Sequence, residues 1–416
     1  ELDATLTGSN RLRLSANGGL LPDANTRHAG WQGRLQDLRL EGENAARHIR
    51  LREPAPLNLS ESAWAIGPAE LAGGESGDWQ VRISADADLQ RLKLDLTGTV
   101  GAATDASPQG SFDGRLEAGM DGPWTLATGS PWQGRAHIET SSLAWLGELL
   151  GEGWQTGGRL AGTLQLAGTP AHPLTSGRFT GENLVLRLPE QGLHLSRGEL
   201  SANLEDNLLR IGRLTFASEL TDLPRPLQLA LGEGARRFAE PGRLDISGEM
   251  RIDGNPSADS AFLDVRLDRL GTWQLPDQWL ALSGAGRLTW QDGALGVRSK
   301  IGVDASYWQL APAGMPRLSD DVVIKRAGST PTPGFRPNLD LDITTDLGRH
   351  FLFKGAGLET RLAGEVRLSV SGRDLPRASG TIRTRDGRFD AYGQRLEIER
   401  GILSFQGLLN NPALDV

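Results

Sequence analysis

The feature that most constrains this chain is a period of two: apolar and polar side chains alternate along most of its 416 residues. Near the C-terminus, for example, Leu396 and Ile398 alternate with Arg395, Glu397 and Glu399. Successive side chains of a β-strand point to opposite sides of a sheet, so this period predicts strands with one apolar and one polar face. An amphipathic helix needs apolar residues at intervals of three and four instead. The sequence therefore predicts an all-β fold.

Turn signals separate many of the alternating segments. Asn-Gly and Asp-Gly pairs adopt the positive φ angles of two-residue hairpins, which join antiparallel strands. Such pairs occur at Asn17-Gly18, Asp113-Gly114, Asp121-Gly122, Asp253-Gly254, Asp292-Gly293 and Asp386-Gly387. Three Gly-bounded strand patterns also repeat at irregular spacing, at residues 162–168, 248–254 and 364–372. We expect a mostly antiparallel, elongated sheet that grows by the addition of strand pairs.

Helical signals are few. Residues 142–150 begin at a serine cap, place Leu143, Leu146, Leu149 and Leu150 on one side, and stop at Gly151. This spacing predicts one short amphipathic helix. A second helical pattern at residues 279–282 is too short to assign. The Pro/Gly-rich segment 326–337 predicts a long loop.

Composition excludes several classes of function. A formal net charge of −8 disfavours a nucleic-acid partner, because phosphate binding requires clustered Lys and Arg. The absence of cysteine removes disulfides and thiolate chemistry. The six histidines lack metal-site spacing, and the pairs Asp86/Asp88 and Asp340/Asp342 share polar strand faces. We expect no metal, no cofactor and no enzymatic activity. No stretch approaches the length of a membrane span, so we expect a soluble fragment.

A sheet with one apolar face must cover that face, and helices are too scarce here to do so. Curling produces a trough with an apolar floor, which suits a hydrocarbon ligand. Burial is worth about 0.8 kcal/mol per methylene, so a lipid with roughly 30 methylenes faces a barrier on the order of 20 kcal/mol to cross water bare. The predicted lining residues are aliphatic and alternate along their strands. They are Leu160, Leu164, Leu166, Leu184, Leu186, Leu188, Leu244, Ile246, Met250, Ile252, Leu339, Leu341, Ile343, Val366, Leu368, Val370, Leu396 and Ile398.

The C-terminal part resembles the TamB family, which lies within the broader AsmA-like group of bridge lipid-transfer proteins. The motifs that carry this resemblance run in the family's order: "LSGAGRLTW" (282–290), "PRLSDDVVI" (316–324), "GLETRLAGEVRL" (357–368), "YGQRLEIERGILSFQG" (392–407) and "NPALDV" (411–416). The resemblance implies a U-shaped sheet, the β-taco, with a hydrophobic groove. It also implies two segments, a repetitive β-groove over residues 1–270 and a TamB-type C-terminal domain over 271–416 that is incomplete at its end.

The resemblance further implies a location and partners. Family members are anchored in the inner membrane of Gram-negative bacteria by an N-terminal segment, which we expect to be absent from this sequence, and they extend through the periplasm. They are associated with phospholipid movement to the outer membrane and with the outer-membrane barrel protein TamA. Two functions stay open. The first is a non-enzymatic conduit for phospholipid acyl chains. The second is a scaffold that offers a strand edge or the trough to nascent outer-membrane β-barrels and autotransporters.

Overall fold

The computed structural model describes residues 2–7, 11–22, 29–41, 48–73, 79–101, 108–150, 153–252, 260–310, 338–372, 374–391 and 394–415. β-strands dominate these residues, so the predicted all-β class is confirmed. The chain forms two compact units. The first comprises Glu1–Leu184 with Glu199–Arg210, and the second comprises Val185–Gly198 with Ile211–Val416. The sequence-based division between residues 270 and 271 falls within a strand of the second unit.

The first unit is built from antiparallel strands. Their bounds are β1 (Leu2–Thr7), β2 (Arg11–Pro22), β3 (Ala29–Glu41), β4 (Ile49–Leu51), β5 (Ala55–Leu59), β6 (Trp64–Gly73), β7 (Trp79–Ala87), β8 (Arg91–Val100), β9 (Gly110–Gly119), β10 (Trp132–Thr140) and β11 (Gln155–Thr169). β1, β2 and β3 pair in order, and β4 and β5 both bridge β3 to β6. From β6 to β11 each strand pairs with the next.

Three strands contribute residues to both units: β12 (His172–Leu188), β13 (Leu193–Glu205) and β14 (Leu208–Ser218). The second unit continues with β15 (Gly242–Arg251), β16 (Ser260–Leu275), β17 (Gln278–Gln291), β18 (Ala294–Gln309), β19 (Asn338–Asp346), β20 (Phe351–Gly355), β21 (Leu358–Gly372), β22 (Arg377–Ala391), β23 (Gln394–Ile398), β24 (Ile402–Leu408) and β25 (Ala413–Asp415). β19 and β20 lie parallel to β18, and the other described pairs of β15 to β25 are antiparallel. A parallel pair requires a long connection, which residues 310–337 supply.

Only some of the predicted turn dipeptides form turns. Asp292 and Gly293, with φ of 52° and 73°, form the predicted two-residue turn between β17 and β18. In contrast, Asn17-Gly18 and Asp113-Gly114 lie inside β2 and β9. Asp386, with φ of 55°, lies at a register shift inside β22 and therefore marks a bulge. Cross-strand pairing thus overrides local turn preference at these positions. The Asp253-Gly254 pair and the motifs at 316–337 lie outside the described residues.

Helices occupy little of the described chain. The helix predicted at residues 142–150 is shorter than expected: α1 spans only Leu146–Leu150. The amides of Ser141 and Ser142 donate to the Gln109 carbonyl, which holds the start of the segment against β9. A second helix, α2 (Arg225–Leu231), continues into a 3-10 helix over Gly232–Phe238. The sequence analysis missed α2, since Pro224, Pro226 and Gly232 resemble loop punctuation.

Two buried clusters anchor the units. In the second unit, Leu227 of α2 is fully buried in a cluster with Phe238, Trp279, Ala281, Ala305 and Tyr307. Along β17, Trp279 and Ala281 point to the opposite side from Leu280 and Leu282. Because Leu227 packs with Trp279 and Ala281, α2 covers the side of β17 that also carries Ser283 and Arg287. In the first unit, the cluster comprises Ala16, Leu35, Leu51, Ala55 and Ala69.

Candidate functional site: an apolar face on each sheet

The strand register of the second unit joins apolar side chains into rows. Residues paired across neighbouring strands lie on the same face of a sheet. One row crosses eight strands through Leu244, Leu267, Gly284, Ile301, Thr345, Val366, Gly380 and Phe405. The adjacent row comprises Ile246, Val265, Gly286, Ser299, Ile343, Leu368, Ala378 and Gly407. We call this surface the apolar face of the second unit.

The opposite side of the same sheet is charged. One of its rows comprises Asp264, Arg287, Arg298, Asp342 and Ser369, and Arg367 lies diagonally from Asp342, two residues before Ser369 on β21. The Arg287 guanidinium donates to both oxygens of Asp264 at 2.7 and 2.8 Å, and Arg367 donates to both oxygens of Asp342 at 2.6 Å. These hydrogen bonds hold the pKa of each carboxyl below its ordinary value. The charged face therefore stays ionised and hydrated at neutral pH.

The first unit has an equivalent apolar face. One of its rows contains Leu164, Ala136, Gly114, Leu96, Ile83 and Ala69, and the next contains Leu166, Gly134, Leu116, Leu94, Ala85, Ile66 and Leu57. Glycines make room for large neighbours on this surface. A Cβ atom added to Gly98 would lie 2.3 Å from Cζ of Phe112, so the Phe112 ring lies directly over Gly98. The result is an apolar floor of low relief.

Most of the predicted lining residues of the second unit lie on its apolar face. The register places Leu244, Ile246 and Met250 there, together with the predicted residues of β19 and β21. Leu396 and Ile398 reach the same face opposite Phe389 and Gly387. Ile252 follows the end of β15 and is exposed. In the first unit, Leu160 lies on the same side of β11 as Leu164 and Leu166 and pairs with Thr140.

Exposure distinguishes these side chains from a packed core. Among the predicted set only Leu184 is buried, at 8% exposure. Leu186 and Leu188 are half-buried, as are most of the others, and Leu396 is 53% exposed. Side chains of the inner layer of a closed sandwich are buried much more completely. In each unit, the described apolar face is therefore accessible to a ligand.

An open depression lies at the C-terminal end of the apolar face of the second unit. It has a volume of about 990 Å³ and lies between β20 and β25. Its walls include Phe353, Leu358, Leu362, Ile382 and Phe389, with Leu396, Ile398, Leu403 and Leu414 along the edge. Glu397, Glu399 and Arg400 also line it. The sequence analysis identified Leu396 and Ile398 but missed the other walls, although Leu358 and Leu362 continue the alternation of β21.

Polar chemistry is sparse in the described residues. They contain no group of three His, Asp or Glu side chains that could hold a metal ion. Burial lowers the pKa of His194 and His350, which favours their neutral forms. Burial raises the pKa of Asp304, whose carboxylate accepts from Ser283 Oγ at 2.5 Å and from Arg237 at 3.3 Å. The Arg237 contact ties the helical segment to β18 and has no evident substrate role.

Comparisons with known proteins bear on this architecture. Residues 233–416 match the family model described as the TamB C-terminal domain. The translocation and assembly module subunit TamB of Haemophilus influenzae is 23% identical over 337 residues, which are 80% of this chain and 24% of that relative. These matches support an assignment to the TamB family. The chain spans about a quarter of the length of this TamB relative.

The TamB domain match covers β15 to β25, which carry both rows of the second apolar face and the depression. The match to the Haemophilus protein extends over most of the chain. No helix among the described residues is long and apolar enough to cross a membrane.

Proposed function

We propose that this chain is a segment of a non-enzymatic conduit that carries phospholipids between the inner and outer membranes. Acyl chains lie on the apolar face of each unit, and head groups stay in water at the border. In this proposal the complete protein is anchored in the inner membrane by an N-terminal segment and works in the periplasm beside TamA. The match to the TamB domain model and the relative's naming as a translocation and assembly module subunit support this setting.

One observation carries the proposal: apolar rows cross eight strands of the second unit while most of their side chains stay only half-buried, with Ala378 and Phe405 as buried exceptions. An uncovered apolar surface of this extent is costly in water, so soluble proteins keep one only where a ligand or partner uses it. The helix α2 packs on the other side of β17, so it does not cover the rows. A hydrocarbon chain matches the surface, because the rows offer aliphatic contact and few hydrogen-bonding groups.

A second candidate is a scaffold for outer-membrane β-barrel and autotransporter assembly. The short strand β25 favours it, since Ala413, Leu414 and Asp415 are all exposed and, within the described chain, pair with β24 alone. An exposed strand edge is a template for a further strand.

Site-specific photo-crosslinking in cells separates the two functions. A benzoylphenylalanine at Leu186 or Leu368 captures phospholipid if the chain is a conduit, and captures unfolded polypeptide if it is a scaffold. The matched control is the same crosslinker at Arg367, the neighbour of Leu368 on the charged face. Mass spectrometry identifies the captured species. Equal lipid labelling at Leu368 and Arg367 contradicts the conduit, since it shows no preference for the apolar face.

A further inference from the structure

A segment between β9 and β10 folds back over the border of the first apolar face. This segment, residues 120–131, is called the lip. Its Met120 amide donates to the Gln90 carbonyl at 2.9 Å, and the Gly122 amide donates to the Leu89 carbonyl at 3.3 Å. The Ala127 amide donates to the Gly119 carbonyl at 3.0 Å. The lip is therefore held against the turn between β7 and β8.

The lip contacts the apolar face through a pair of indoles. Trp64 lies at the end of that face, in a row with Ala87, Leu92, Ala118 and Trp132. Its Nε1–H donates to the Pro123 carbonyl at 2.5 Å. The Trp124 ring stacks on Trp64 with a centroid distance of 5.7 Å and an angle of 10° between the planes. The lip thus extends the apolar face by one aromatic layer.

The outer side of this layer is unusually exposed. Trp124 is 66% exposed, and the neighbouring Leu89 and Leu126 are 51% and 38% exposed. Since Trp64 covers one face of the Trp124 ring, the exposed fraction belongs largely to its other face. Clustered exposed apolar side chains on a soluble surface indicate an interaction site. An indole also suits the boundary between hydrocarbon and water, because it joins an apolar ring to a polar N–H.

The lip and the turn that it contacts each carry a carboxylate. Asp88 accepts the amides of Gln90 and Arg91, both at 2.7 Å, and these bonds keep its pKa below the ordinary value. Asp121 in the lip is also exposed. Two cations lie near Asp88: Arg91, which directs its guanidinium to Glu117, and Lys93. Asp121 lies in the same turn as Trp124, closed by the Asp121 amide donating to the Thr125 carbonyl at 2.8 Å, and Asp88 precedes Leu89, whose carbonyl accepts the Gly122 amide. An aromatic face with nearby carboxylates attracts an ammonium group.

We propose that the lip binds the ammonium head group of a zwitterionic phospholipid whose acyl chains lie on the apolar face of the first unit. This inference rests on the proposed conduit function and adds a preference for one class of lipid. Trp124 contacts the cation, Asp121 and Asp88 supply the opposite charge, and Trp64 joins the head-group site to the hydrocarbon surface. A lipid with an anionic head group gains neither contact and meets repulsion from the carboxylates.

The test offers the purified chain vesicles with equal amounts of phosphatidylethanolamine and phosphatidylglycerol with identical acyl chains. A benzoylphenylalanine at Leu94, on the first apolar face, captures bound lipid, and mass spectrometry gives the ratio of the two. A benzoylphenylalanine at Leu368 reports separately on the second unit. We expect about fivefold enrichment of phosphatidylethanolamine at Leu94, as for an exposed cation–π contact.

Variants separate the lip from general binding. Trp124→Leu keeps an apolar side chain but removes the aromatic face, and Asp121→Asn removes one charge. Each is expected to bring the captured ratio toward one, while Asp113→Asn, which removes an exposed charge elsewhere on β9, preserves it. Lipid capture at Leu94 with no head-group preference in the unaltered chain overturns the lip inference and leaves the conduit standing. Absence of lipid at both Leu94 and Leu368 overturns the conduit itself.

Discussion

Replacement of Leu368 by aspartate places a charge in the middle of the second apolar face. Leu368 is half-buried, and its cross-strand partners are Ile343 in β19 and Ala378 in β22. Full burial of a leucine side chain is worth about 1.5–3 kcal/mol, and an acyl chain lying over this position loses a comparable contact. Because each 1.36 kcal/mol is a factor of ten, lipid occupancy at this point should fall about 10- to 100-fold.

The assay places a benzoylphenylalanine at Ile343, directly across from Leu368, and measures the lipid captured there after photolysis. Leu368→Asp should reduce this capture to near background. The matched control is Ser379→Asp, which adds the same charge to the exposed side of β22 opposite Arg367 and should preserve capture. Circular dichroism verifies that both variants keep their strands. Undiminished capture at Ile343 in a folded Leu368→Asp variant refutes the reasoning.

Three further predictions concern stability. Leu227→Ala should destabilise the second unit by about 3 kcal/mol, since the side chain is fully buried; urea unfolding followed by tryptophan fluorescence measures this, and an unchanged midpoint contradicts it. Gly98→Ala should cost about 1–3 kcal/mol because its Cβ meets Phe112 and the Gln80 carbonyl, whereas Gly129→Ala, with open space around it, should leave the melting temperature unchanged. Burial, reinforced by Arg361, Arg349 and Arg237, lowers the pKa of His350 from 6.5. Its neutral form therefore contributes stability that is lost as pH falls below about 6.5. His350→Gln should reduce the drop in melting temperature between pH 7.5 and 5.5. An equal drop in the variant and the unaltered protein would be evidence against this.

Local sequence determined the strands and their two faces. Alternation is a property of each strand alone, so it assigned Leu341, Ile343 and Leu368 to one side of the sheet, and the register places Asp342 and Arg367 on the other. The all-β class, with mostly antiparallel pairs, followed from the same period together with the turn dipeptides. Asp292-Gly293 formed its turn as predicted, because the strands on either side pair with each other directly.

Only the tertiary structure decided how these strands combine. Register is a long-range choice, and it alone placed Gly284 beside Ile301 and moved Asp113-Gly114 from a turn into the middle of β9. The helix α2 owes its stability to the burial of Leu227 against β17 and β18, which no local pattern could reveal. The stacking of Trp124 on Trp64 likewise joins residues 60 positions apart. A period of two fixes which way a side chain points, whereas the neighbour that it meets depends on pairing between distant segments.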